Sequence, residues 1–190
     1  MSTRAANLPV PAPATPDALL LARLAQGDIG ALGELYDRHQ QPLRRFLSRA
    51  TCGHADVDDL VHATFLIAAE SAARYDGRSA CRPWLIGIAV RLVRRRRRSL
   101  YGFLSMLTSL GATRASSADP RASLHERTDV ERALERLSEP KRVTLLLAEV
   151  EGLSCPEIAE LLAIPVGTVW TRLHAARREL RAWLTDGRTK

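Results

Sequence analysis

The side chains best placed to do chemistry lie between Ser154 and Leu180, in SCPEIAELLAIPVGTVWTRLHAARREL. That chemistry is hydrogen bonding and charge rather than bond making. Thr168, Trp170, Thr171, His174 and Arg178, flanked by Arg172 and Arg177, offer hydroxyls, an indole, an imidazole and guanidiniums. The elements that must carry them are legible nearby. Ser154 and Glu157 have capping-box spacing, so a helix starts there, with Pro156 tolerated in its first turn. Pro165 biases Ile164 away from the helical region and ends that helix. A second helix follows, with Val166, Val169, Leu173, Ala176 and Leu180 forming one apolar seam. The polar residues fall on the opposite face. A short helix, a tight turn and a longer helix with cations outward fit a DNA-binding helix-turn-helix; an ordinary helical hairpin with a solvated basic face is the plainer alternative.

A second cationic feature lies upstream. From Cys81 to Leu100 there are seven arginines, Arg82, Arg91 and Arg94 to Arg98, and no acid. Five consecutive arginines surround a helix, so only some can face one partner. Phosphate neutralisation is the functional reading. A solvated helix end favoured by the macrodipole is a second, and an anionic membrane surface, with the apolar Leu100 to Leu110 lying on it, is a third.

Composition narrows the class. The chain has 190 residues, 46% of them hydrophobic, and a formal charge of +7. It can bury cores, and its basic excess suits a polyanion. Lys141 and Lys190 are the only lysines. Arginine favours bidentate contacts, but a GC-rich genome produces the same bias. Cys52, Cys81 and Cys155 are scattered and odd in number, which argues against a disulfide framework and for a reducing compartment. Cys52 with His54 supplies too few ligands for a zinc site, so neither a metal nor a cofactor is expected. Met1 to Pro16 lacks the apolar run of a secretory leader, and no stretch has the length of a membrane span. The expected location is cytoplasmic. Phosphate-binding glycine loops, H-E-x-x-H and G-x-S-x-G are not found, which argues against an enzyme and a small-molecule substrate.

The pattern along the chain is all-α. Residues 1–14, rich in proline and alanine, read as a disordered leader. Residues 15–98 form a first helical domain. Within it, Pro42 is a candidate kink, and Val57, Leu60, Val61, Thr64, Phe65 and Ala68 give a strong amphipathic stripe behind an acidic first turn of Asp56, Asp58 and Asp59. Tyr75 to Ser79 is a loop before a helix carrying Trp84, Leu85, Ile88, Ala89 and Leu92. Residues 99–129 are expected to be a flexible linker, residues 130–184 a second domain ending in the helix-turn-helix, and residues 185–190 a tail.

In the first domain, LGELYDRHQQPLRRFL, DVDDLVHATFLIA and RPWLIGIAVRLVRRRRR resemble the conserved second region of the extracytoplasmic-function (ECF) sigma factors of bacterial RNA polymerase. In the second, LERLSEPKRVTLLLAEVEGLSCPEIAELLAIPVGTVWTRLHAARREL resembles their fourth region. The resemblance covers about Leu24 to Leu184 apart from the linker. It implies two helical domains and no catalysis. Asp56, Asp58, Asp59, Leu60 and Phe65 would dock on the β′ clamp helices of core RNA polymerase, which also offers its β subunit, although Phe65 is mostly core on its pattern. Tyr75, Arg78, Ser79 and Arg82 would capture the promoter −10 element as a single strand, with Trp84 packed in the core. Arg91, Arg94, Arg95 and Arg98 would hold its phosphates. In the −35 duplex, Thr168, Trp170, Thr171, His174 and Arg178 would face the groove, and Arg172 and Arg177 the phosphates. Promoter DNA and an anti-sigma factor, which can hold such a factor at the membrane, are the further implied partners.

This chain departs from the family pattern at several positions. Trp170 and Ala175 stand where basic residues are common, Arg91 and Arg94 near where Asn and Asp are common, and His62-Ala63 where Gln-Glu is common. The promoter sequence is therefore not predicted. Two other classes compete: a stand-alone regulator of duplex DNA, which leaves the first domain unexplained, and a membrane or scaffold protein using Arg94 to Leu110.

Overall fold

Several helices begin where a polar side chain satisfies amide groups that the helix itself leaves without acceptors. The computed structural model describes residues 15–53, 55–77, 80–109 and 128–186 and has eight α-helices, one 3-10 turn and no strand among those described residues. Helix α1 spans Asp17–Ala25, α2 Ile29–Thr51 and α3 Val57–Ser71; a 3-10 turn covers Ala72–Arg74; α4 spans Cys81–Ser109, α5 Asp129–Arg136, α6 Glu139–Glu149, α7 Cys155–Leu162 and α8 Val166–Asp186. Asp28 accepts from the amides of Gly30 at 2.9 Å and Ala31 at 3.4 Å to start α2. Asp56 accepts from Asp58 at 3.1 Å and Asp59 at 3.2 Å to start α3. Helix α2 runs through Pro42 as one element and ends at Cys52, whose φ is 54°.

The first unit closes around Leu20, Leu21, Leu35, Phe46, Val61 and Leu85, all buried. The second packs α8 on α6 and α7 through Leu147, Ile158, Val169, Leu173 and Ala176. Complete burial of a side chain of the Val, Leu, Ile or Phe class stabilises by roughly 1.5–3 kcal/mol. Val166, expected in the same seam, is exposed.

The linker boundary differs from the sequence expectation. Helix α4 does not end at residue 98; it continues to Ser109. Residues 99–109 contain no proline, and the single Gly102 costs only about 1 kcal/mol in a helix already nucleated. The remainder of the expected linker, residues 110–127, lies outside the described residues, as do the leader 1–14 and residues 187–190.

The two units pack on each other, α2 against α6 and α4 against α7. Gly87 lies at the second contact, where a Cβ would meet Leu161 Cγ at an ordinary van der Waals distance of 3.5 Å. Buried Arg142 joins the first pair. Its Nε donates to the carbonyl of Ala50 at 2.8 Å, and its Nη1 to those of Leu134 at 3.1 Å and Leu137 at 3.2 Å. One guanidinium thus ties the end of α2 to the turn between α5 and α6. Arg142→Met keeps most of the apolar stem and deletes these bonds; urea unfolding is expected to show a loss of about 1.5–3 kcal/mol.

Candidate functional site

The turn that presents the polar face of α8 is built from two local devices. Glu157 accepts from the Ser154 amide at 2.8 Å and from its hydroxyl at 2.6 Å, which fixes the start of α7. These hydrogen bonds, the hydroxyl first, hold the Glu157 carboxyl below its ordinary range. At the other end Ala163 takes a left-handed conformation, φ 51°, and the Ile164 amide donates back to Ala159 at 3.0 Å. The stop expected from Pro165 is therefore made two residues earlier, by Ala163. Helix α8 then begins and buries Val169, Leu173 and Ala176.

The outward face of α8 carries the expected groups. Trp170 is 61% exposed, and Thr171, His174, Arg177 and Arg178 are exposed; Thr168 and Arg172 are half-buried. The Thr171 hydroxyl donates to the Gly167 carbonyl at 2.9 Å and keeps its acceptor capacity outward. Arg177 pairs with Glu149 at 2.7 Å. Trp170, His174, Arg177, Arg178 and Arg181 line one side of a groove whose far wall includes Ser154 and Cys155. The groove therefore combines three cations with an indole and an imidazole.

Of the seven arginines of α4, Arg91, Arg95, Arg96 and Arg98 are exposed. Arg82 and Arg94 are instead engaged by the second unit. Arg82 forms an ion pair with Glu151 at 2.7 Å, and the Glu151 side chain is 3% exposed. Arg94 Nη1 donates to the Leu162 carbonyl at 2.9 Å. Burial, and then the nearby Arg172 charge, pull Arg94 below the ordinary guanidinium value. Arg97 lies 3.3 Å from Glu139. Tyr75, expected as a wall for an unstacked base, packs edge-on against half-buried Trp84 with centroids 5.2 Å apart. Arg78 and Ser79 lie outside the described residues.

Of the docking set expected on α3, Leu60 is 5% and Phe65 3% exposed, so both are core side chains in this structure. Phe65 packs on Tyr36 with centroids 4.9 Å apart. The Asp56 carboxylate caps the helix, and Asp58 pairs with Arg44. The outward face of α3 is Asp58, Asp59, His62, Leu66 and Glu70. Leu66, 63% exposed, went unnoticed in the sequence. Its signal was an apolar residue one position off the buried stripe, within an otherwise charged face.

A helix with an acidic outer face, an arginine-rich helix and a helix-turn-helix thus coexist on one all-α chain. Residues 35–101 match the family model described as Sigma-70 region 2, and residues 127–180 match that described as Sigma-70, region 4. The chain is 32% identical to the RNA polymerase sigma factor CarQ of Myxococcus xanthus, over 87% of this chain and 96% of that one. It is 33% identical to the ECF RNA polymerase sigma-E factor of Escherichia coli K12, over 86% and 92% respectively. The chain belongs to the ECF sigma factors. Its structure is similar to that of CnrH in complex with the cytosolic domain of CnrY, with a TM-score of 0.62 and 28% identity over 90% of this chain and 97% of that one. As a sigma factor it directs RNA polymerase to promoters, and its partners are core polymerase and promoter DNA. No helix among the described residues is long and apolar enough to cross a membrane.

The Glu157 cap gives the helix-turn-helix a pH dependence of defined sign. A carboxyl held below its unfolded value contributes stability above the unfolded value and loses it as pH falls through the folded one. The stability gap between wild type and Glu157→Gln is expected to narrow as pH drops below the ordinary glutamate range, measured by denaturant unfolding across an acid series. A gap that widens would reverse the assignment.

Proposed function

We propose that this sigma factor reads its promoter at two places and opens one of them. Helix α8 enters the major groove of the −35 element with Thr168, Trp170, Thr171, His174 and Arg178 toward base edges, while Arg172 and Arg177 hold phosphates. The loop from Tyr75 through Arg78 and Ser79 to Arg82 takes the −10 element as a single strand, and Arg91, Arg94, Arg95 and Arg98 neutralise its backbone. Trapping unstacked bases there melts the element without any covalent step, so the chain acts as a binding factor and not an enzyme.

The observation that carries the −35 reading is the exposed indole, imidazole and guanidinium row on a helix that buries Val169, Leu173 and Ala176 on its opposite side. Its cost is visible as well. Trp170 brings apolar area in place of a cation, so phosphate attraction rests more heavily on Arg172, Arg177 and Arg178. On the docking side, Asp58, Asp59 and Leu66 support an acidic surface with one apolar knob for the basic clamp helices of β′. Contacts to the β subunit belong to the same reading.

Arg82 and Arg94 face two claimants, Glu151 with the Leu162 carbonyl on one side and promoter phosphates on the other. The reading therefore has the second unit swing off the first when polymerase is engaged. An anti-sigma protein fits as the opposing partner, holding the factor in the cell interior or at the membrane until a signal releases it. The similar CnrH structure is a complex with the cytosolic domain of CnrY.

Run-off transcription with core polymerase on a GC-rich genomic library is expected to yield factor-dependent transcripts that begin downstream of a shared pair of elements. Binding to duplex without such transcripts would instead favour a stand-alone regulator. Within the recovered −35 duplex, Arg178→Ala is expected to weaken binding by roughly 1–3 kcal/mol, with relaxed preference at one base pair, if Arg178 grips a guanine. Unchanged affinity removes it from the interface.

A further inference from the structure

Away from both nucleic-acid surfaces, the fold gathers three side chains that no part of the promoter reading uses. Asp17 opens α1, His39 lies in α2 and Cys81 opens α4. Their ligand atoms all fall within 4.8 Å of one another. His39 Nε2 is already 2.8 Å from Asp17 Oδ2. Cys81 is 3% exposed, and the His39 side chain 13%. Asp17, its side chain 31% exposed, is the most open of the three.

We propose that Asp17, His39 and Cys81 form a site for a thiophilic divalent cation of the Zn2+ type. The donor set is one thiolate, one imidazole and one carboxylate, each a standard ligand for that ion. Three protein ligands leave a fourth position for water, an arrangement common in zinc proteins. At zinc bond lengths and the tetrahedral angle, neighbouring ligand atoms stand about 3.5 Å apart, so small side-chain rotations close the trio on an ion. Charge also balances: two anionic ligands offset a dication, which keeps a half-buried site neutral.

The outer contacts are in place. Arg38 Nη1 donates to Asp17 Oδ1 at 3.0 Å, the carboxylate oxygen not used by His39, and also to the Thr15 carbonyl. It orients the carboxylate in the way outer-shell groups orient metal ligands. Without a cation, burial pushes the Cys81 thiol up to about 12, so the thiol enters the site protonated and releases that proton to water when it coordinates. The sequence did not suggest the trio, because its members are far apart along the chain and follow no ligand spacing; the absence of a metal site expected above was judged on Cys52 and His54 alone.

Such a site would staple α1 and α2 to the first residue of α4, immediately after the loop that begins at Tyr75. Its existence does not depend on the promoter reading, and its test does not use transcription. Co2+ serves as the spectroscopic probe, added to the reduced, untagged, full-length chain. The expected result is a thiolate-to-cobalt charge-transfer band that saturates at one equivalent and is displaced by Zn2+. Cys81→Ser should abolish the band, while a Cys52→Ser, Cys155→Ser double variant should retain it. His39→Gln, chosen because its side chain is not fully enclosed, should lower Co2+ affinity by at least the roughly 10-fold that even an outer-shell loss costs. Circular dichroism identifies any variant that fails to fold, and the His39 variant then carries the test. No band in the wild type, a band that follows Cys52 or Cys155, or unchanged affinity in His39→Gln overturns the site and leaves the trio as a hydrogen-bonded helix contact only.

Discussion

Arginine side chains ending on the acceptors of a neighbouring unit join the two units of this molecule. Arg142 reaches the Ala50 carbonyl, Arg94 the Leu162 carbonyl and Arg82 the nearly enclosed carboxylate of Glu151. Helix C-termini leave carbonyls without intrahelical donors, and a guanidinium satisfies them with directional, charge-assisted bonds. Burial raises the value of each such bond and the penalty for breaking it. These few contacts accompany the packing of α2 on α6 and of α4 on α7.

The same physics bears on how a promoter factor of this class would open. Arg82 and Arg94 belong to the basic helix proposed for the −10 strand, yet in this form their charge is spent on the helix-turn-helix unit. Phosphates offer equivalent acceptors, with more charge. Exchange of one set for the other is close to balanced in hydrogen bonds, so under the proposed function the binding of polymerase and promoter duplex can decide the outcome. Arg91, Arg95 and Arg98 remain exposed, so the basic character of α4 is only partly masked.

Much of the architecture was legible because it rests on local rules. The Ser154–Glu157 pair and the acidic first turn from Asp56 announced helix starts, and the spacing of Val169, Leu173 and Ala176 announced the seam of α8. Where local signals were weak, the reading slipped. Ala163 stops α7 in a left-handed conformation that alanine does not advertise. Helix α4 passes residue 98 because nothing in its next turns breaks a helix that is already formed. On α3, the amphipathic stripe correctly marked Leu60 and Phe65 as apolar, but that pattern says only that a face is buried. It does not say whether against the same chain or another. Here Tyr36 covers Phe65, and the residue left outward is Leu66.

What the sequence determined by itself is therefore the set of elements and their chemistry: all-α, two units, a helix-turn-helix with a basic outer face and an arginine-rich helix. Periodicity, caps and charge are properties of neighbours along the chain, and they survive without knowledge of the fold. Only the tertiary structure decided which arginines are free, which apolar side chains face outward, and that Asp17, His39 and Cys81 meet. Those are relations between residues distant along the chain, set by which helix faces pack together, and no local spacing encodes them.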